Sequence, residues 1–257
     1  NDKNLYPGDY IIDIAKKIIN NKKITNFSNF ESIRSLLTAA SLSASMNLIK
    51  SNLKTLGILH NNFVYESELI KNNSVSNAVN NLIKDKYVYE GELPPPKGEL
   101  SKDWKPRIQL IFNSTLFGDD TDRALNKEDN TWTYFAGDIG YHADKVKRNF
   151  DKLITVLGSD HSGYVKRIKG AVLAISNKKT SLDCKISQLV KLFKQGKPFK
   201  MSKRKGDYIT VEDLVSEVGK DSVRFMMLNR SNDVELDFDF EKVTEKSKDN
   251  PVFYVQY

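Results

Sequence analysis

The chain has 257 residues, 39% of them hydrophobic and 28% charged, an ordinary make-up for a globular protein with room for one large domain or two smaller ones. A formal net charge of +7 favours a polyanionic partner, without separating RNA from an acidic protein surface. Cys184 is the single cysteine, which excludes an internal disulfide and a thiolate zinc cluster; no apolar run reaches the ~18 residues of a membrane span, and the polar start Asn1-Asp2-Lys3-Asn4 is no signal peptide, so a cytoplasmic location without membrane attachment is expected.

Taken in order, Tyr6-Pro7-Gly8-Asp9 reads as a turn, and Tyr10 to about Asn20 places Ile11, Ile12, Ala15, Ile18 and Ile19 at helical spacing. Ser28 to Glu31 has the form of a capping box, which predicts a second helix carrying Ile33, Leu36, Leu37 and Ala40 and stopping at Gly57. Phe63-Val64-Tyr65 reads as a short strand with Glu66-Ser67-Glu68 at its end. Ser74 to Asp85 is helical, with Val75, Val79, Leu82 and Ile83 on one side, and Tyr87-Val88-Tyr89 is a short strand. The proline run Pro94-Pro95-Pro96 then stiffens an extended connection and marks a subdomain edge.

From Ile108 onward strands and helices alternate, the pattern of a parallel sheet. Ile108 to Phe112 and Leu153 to Leu157 read as buried strands, Phe135 to Phe150 and His161 to Ile175 as helices, and Ile186 to Phe193 as one strand feeding a basic loop. Thr210 and Asp213 predict the cap of a further helix, and Val223 to Leu228 with the segment after Phe240 reads as a helical tail.

Three stretches carry candidate chemistry. The loop from Gly196 to Asp207 holds Lys200, Lys203, Arg204 and Lys205 around Met201 and Ser202. Glycine permits close backbone approach to an anion, lysines are mobile charges for phosphate oxygens, and serine adds a donor; a K/R cluster is otherwise a solvated loop. The strand-turn-helix at Gly158-Ser159-Asp160-His161 lies where open α/β sheets bind nucleotides, with Asp160 read either as an acceptor for ribose hydroxyls or as a plain helix cap. Tyr134 and Asp138, four apart at a helix start, put a phenol beside a carboxylate, a setting for a guanidinium or simply a surface contact. His142 lies four further on and reads as a structural hydrogen bond, and Glu68 is a candidate second carboxylate.

Lys200-Met201-Ser202-Lys203 resembles the second signature of class I aminoacyl-tRNA synthetases, whose loop closes over the triphosphate of ATP, with Arg204 in place of the last serine of that signature. Thr131 through His142 is similar to the arginine-pocket helix of bacterial arginyl-tRNA synthetases, and the stretches from Val211 to Phe225 and Asp237 to Phe240 resemble the helices after their signature loop. The resemblance implies an α/β fold, namely the second half of a Rossmann-like parallel sheet with an α+β connecting insert and a helical C-terminal tail. It divides the chain into an insert over 1–107, the nucleotide-fold half over 108–206 and the start of a stem-contact region over 207–257. It implies ATP contacts for Gly158, Asp160, His161, Lys200, Met201, Ser202 and Lys203, with Lys200 and Lys203 catalytic, and arginine contacts for Tyr134, Asp138, Glu68 and His161.

The implied partners are L-arginine, ATP with Mg2+ as the substrate complex, and tRNA(Arg), in a monomer with no tightly bound cofactor and no resident metal. His60, His142 and His161 are the three histidines, and none stands in the His-x-Gly-His context of the family's first signature. The expectation is therefore an internal piece of the synthetase, inactive alone. A non-catalytic RNA-binding protein on the same scaffold is the alternative.

Overall fold

Two helices open the fold in the computed structural model, which describes residues 9–22, 24–95, 105–199 and 209–257. The chain divides into two compact units, one made of residues 1–61 and 189–257 and the other of residues 62–188. The first unit begins with α1 (Asp9–Lys22) and α2 (Phe30–Thr55). The cap of α2 lies one residue later than the Ser28–Glu31 box requires: Asn29 is the N-cap, its side chain accepting from the backbone N–H of Ser32. Gly57 does end the helix. At φ +71° it allows a Schellman closure, with Ile58 N–H donating to Leu53 O and Gly57 N–H to Lys54 O, both at 2.8 Å.

The second unit follows without interruption. Phe63-Val64-Tyr65 is not a strand; it is irregular and leads into α3 (Glu66–Lys71), so Glu66 stands at a helix start and Glu68 within the helix. Next come α4 (Ser74–Lys84), β1 (Val88–Gly91), β2 (Gln109–Phe112), a 3₁₀ turn over Ser114–Phe117, β3 (Arg123–Ala124) and α5 (Tyr134–Lys147). After these, β4 (Leu153–Gly158), a 3₁₀ turn over Ser159–Tyr164, α6 (Val165–Ile175) and β5 (Leu182–Ser187) complete the unit. The predicted helix from His161 thus starts properly only at Val165.

The parallel pattern expected from Ile108 is met only in part. β2 lies between β1 and β3, antiparallel to both, whereas β4 and β5 pair in parallel, from Leu153 opposite Leu182 to Gly158 opposite Ser187. α4 buries Val75, Ala78, Val79 and Leu82, the i, i+3, i+4, i+7 stripe of an amphipathic helix. The core they enter includes Phe112, Leu125, Phe135, Ile139, Ile168 and Val172.

α4 packs tightly against α5 at Gly140. A Cβ there would lie 2.8 Å from Val75 Cγ2 and 3.0 Å from Val75 Cα, and the backbone neighbour cannot rotate away. Gly140→Ala is therefore expected to destabilise the unit by about 1–3 kcal/mol, the cost of forcing an extra carbon into a packed contact, despite alanine's better helix propensity. A lowered urea midpoint at unchanged slope would show it.

The chain then returns to the first unit with β6 (Val190–Lys194), β7 (Lys197–Phe199), α7 (Val211–Val218), α8 (Lys220–Leu228), β8 (Leu236–Asp239), α9 (Phe240–Thr244) and α10 (Pro251–Gln256). The single strand expected over Ile186–Phe193 is in fact the end of β5 and most of β6, in different units. β6 is central to a mixed sheet, antiparallel to β7 and parallel to β8, and β8 interrupts the expected helical tail. Thr210 and Asp213 form the predicted capping box of α7. Leu192, Leu214, Val218, Phe238, Phe240 and Val252 are among the residues of this core. No helix among the described residues is long and apolar enough to cross a membrane.

Candidate active site

α5 supplies the first wall of a cleft of about 310 Å³ in the second unit. The N-cap Thr133 accepts from the Ala136 N–H at 3.3 Å while its own hydroxyl is within reach of the Ala124 and Leu125 carbonyls, which fixes where the helix begins. Tyr134, at the first helical position, is 83% exposed. Asp138 follows one turn later on the same cleft, so the four-residue spacing does bring the pair together. The second carboxylate lining the cleft is Glu66; Glu68 does not line it. Glu66 faces α5 at Gly137, where an added Cβ would come within 3.2 Å of Glu66 Oε1. Its place at the start of α3, rather than at the end of a strand, puts it there.

Asp138 is held at both ends of the residue. Its carbonyl accepts from His142 Nδ1 at 2.8 Å, the structural role expected of that histidine. Burial pushes the His142 pKa below its ordinary value and keeps the imidazole neutral, with Nε2 buried and without a partner. The Asp138 carboxylate accepts at Oδ2 a short hydrogen bond from the hydroxyl of Tyr164. Burial, reinforced by that bond and by the carboxylate charge, pushes the Tyr164 phenol far above its usual range, so it stays a donor.

Tyr164 closes the 3₁₀ turn that begins with Ser159 after β4. At the other end of that turn, Gly158 lies against the Asp160 side chain: a Cβ there would sit 2.5 Å from Asp160 Oδ1, an exposed oxygen that would have to move. Asp160 and His161 are exposed, with His161 Nε2 3.5 Å from Asp160 Oδ2. No side-chain cap closes either the turn or α6, so Asp160 is not occupied as a helix cap. The unit thus carries a polar turn beyond the carboxyl end of a parallel strand and, tied to it through Tyr164, a cleft lined by the carboxylates of Glu66 and Asp138, the phenols of Tyr134 and Tyr141 and the guanidinium of Arg148, which pairs with Asp144. Such a cleft is suited to a guanidinium, which carboxylates meet with two parallel hydrogen bonds.

A third cluster supports the turn. Arg167 lies over the Tyr164 ring at 5.2 Å, and its Nε is 3.9 Å from Asp119 Oδ2. Asp119 is 8% exposed and accepts from Arg123 Nε at 2.7 Å and Nη2 at 2.9 Å, with Ser114 Oγ and the Asp120 N–H each adding a bond at 2.9 Å. Burial alone would raise its pKa; these donors, Arg123 first, outweigh it and hold the carboxyl at about 2. Tyr164, Glu66 and this cluster are the parts that sequence reasoning misses. The i,i+4 spacing of Asp119 and Arg123 is a visible signal, whereas Tyr164 and Asp138 are 26 residues apart.

Lys200, Met201, Ser202 and Lys203 lie outside the described residues. The described chain ends before this segment with the β6–β7 hairpin and resumes after it with the Thr210 cap of α7.

No protein-family model matches the chain. Among curated proteins it is 59% identical over 256 residues to an arginine–tRNA ligase of Pelagibacter ubique, covering 100% of this chain and 44% of that protein. It is 51% identical over 255 residues to the arginine–tRNA ligase of Anaplasma phagocytophilum, again 44% of that protein. Among solved structures, an arginyl-tRNA synthetase from Campylobacter jejuni superposes with a TM-score of 0.82 at 32% identity, covering 100% of this chain and 52% of that one. The arginyl-tRNA synthetase of Thermus thermophilus, at 16% identity and a TM-score of 0.58, shares the fold alone. The chain is thus homologous along its whole length to the arginine–tRNA ligases, and spans less than half the length of the curated relatives it matches.

Proposed function

We propose that the protein to which this chain belongs joins L-arginine to tRNA(Arg). The observation that carries the reading is the 59% identity to an arginine–tRNA ligase over the whole chain; the cleft of Tyr134, Asp138 and Glu66 supports it chemically. In the first step an arginine carboxylate oxygen attacks the α-phosphorus of the Mg–ATP substrate, forming arginyl-adenylate as pyrophosphate leaves. In the second, a hydroxyl of the terminal tRNA ribose attacks the adenylate carbonyl, and AMP departs. Neither step needs a covalent protein nucleophile; positioning and charge carry both.

In this reading Asp138 and Glu66 meet the substrate guanidinium and Tyr134 lies beside it. Glu66 takes the place first considered for Glu68. Gly158, Asp160 and His161 serve the adenosine, His161 lies also toward the amino acid, and Lys200, Met201, Ser202 and Lys203 serve the triphosphate. Paired carboxylates separate arginine from lysine by geometry as well as charge, so no editing step is needed. The segments 1–107, 108–206 and 207–257 are assigned as connecting insert, second half of a Rossmann-like fold and start of the stem-contact region. A cytoplasmic monomer fits the reading, and the net charge of +7 suits a tRNA partner.

Arginine-dependent ATP–pyrophosphate exchange tests it. The full-length protein is expected to exchange, and residues 1–257 alone are not, because the family's first ATP signature is absent from this sequence. Full-length protein that binds tRNA but does not exchange would instead favour a non-catalytic RNA-binding role.

A further inference from the structure

We propose that Tyr164 is a positioning residue for amino-acid recognition, holding the Asp138 carboxylate in the rotamer that receives the substrate guanidinium. The proposal rests on the arginine-binding reading of Asp138. A carboxylate on the first turns of a helix, facing a water-accessible cleft, is free to rotate about its χ angles, and a mobile acceptor loses the gain from bidentate geometry. Here the hydroxyl of Tyr164 donates to Oδ2, which fixes the plane of the carboxylate while Oδ1 and the second lone pair of Oδ2 keep their capacity to accept.

The phenol can impose that order because it is itself held on several sides. Its ring meets Phe135 edge-on, with centroids 6.1 Å apart and planes at 90°. The Arg167 guanidinium covers the ring at 5.2 Å. Arg167 in turn approaches Asp119, which the bidentate bond from Arg123 anchors to β3. This arrangement has the attributes of a support: a half-buried aromatic held by packing, with its one polar atom spent on the Asp138 carboxylate.

Tyr164→Phe in the full-length enzyme keeps the ring and its packing and deletes only the hydroxyl. One hydrogen bond to a charged group is lost, so kcat/KM for arginine is expected to fall about 10-fold or more, mainly through KM, while KM for ATP changes by less than about two-fold. In an Asp138→Ala background the same change is expected to add almost nothing, since its only target is already gone. Unchanged arginine kinetics in Tyr164→Phe, in an enzyme where Asp138→Asn is impaired, would overturn the proposal and leave the arginine-binding reading standing. So would equal losses from Tyr164→Phe in both backgrounds, which would mark a general structural role. If Asp138→Asn itself left arginine kinetics intact, the underlying reading would fall and take this proposal with it.

Discussion

Asp138→Asn in the full-length enzyme is expected to lower kcat/KM for arginine by about 2–4 kcal/mol, roughly 30- to 1,000-fold, with KM for ATP little changed. The substitution keeps the shape of the side chain, and the amide oxygen can still accept from the Tyr164 hydroxyl, so the local packing survives. The main-chain bond from His142 Nδ1 to the residue 138 carbonyl is untouched, so α5 keeps its course. What is removed is the negative charge that, in the proposed reading, faces the substrate guanidinium together with Glu66. Steady-state kinetics varying arginine and ATP separately will read the effect. Unaltered arginine kinetics with weakened ATP binding would reassign Asp138 to the nucleotide.

Lys203→Ala, again in the full-length enzyme, is expected to slow single-turnover adenylate formation about 100-fold or more. Negative charge accumulates on pyrophosphate as it leaves, and a lysine on a glycine-bracketed loop can meet that charge as it develops. An interaction made chiefly in the transition state lowers the rate when lost and leaves ground-state affinity nearly intact, so the ATP dissociation constant should move only a few-fold. Transfer from preformed arginyl-adenylate to tRNA expels AMP, not pyrophosphate, and should be much less affected. Equal slowing of both steps would place Lys203 in folding or tRNA docking instead.

Elements whose signal is local are the ones readable from the sequence. The stripe of α4, the Gly57 stop and the Thr210–Asp213 box each depend on residues within about two helical turns of one another, and each stands in the structure. Phe63-Val64-Tyr65 has the composition of a strand, yet among the described residues no strand pairs with it, and propensity without a partner makes no sheet. Strand direction is likewise invisible locally: the apolar run of β2 would suit a parallel sheet, but its neighbours β1 and β3 both run against it. For the candidate site, the spacing of Tyr134 and Asp138 is legible because one helix carries both. Glu66 escapes because its element is misread by a few residues, and Tyr164 because its role is set by a partner in another helix.

The division of the chain has a consequence for the order of assembly. Residues 62–188 are contiguous, and the core of that unit is drawn entirely from within the stretch. The first unit has no such freedom, because α2 buries none of its residues fully and the core of that unit is drawn from Leu192 onward. The Leu56 carbonyl after α2 waits for Arg224 Nη1, 168 residues later, which donates to it at 2.9 Å. Contacts of such long sequence separation form late, since the closure entropy of the intervening chain must be met first. During synthesis α1 and α2 therefore emerge well before the residues that complete their unit, and through that interval Leu36, Leu42 and Ile49, which stay exposed in the structure, are apolar side chains open to a chaperone or to another copy of the chain.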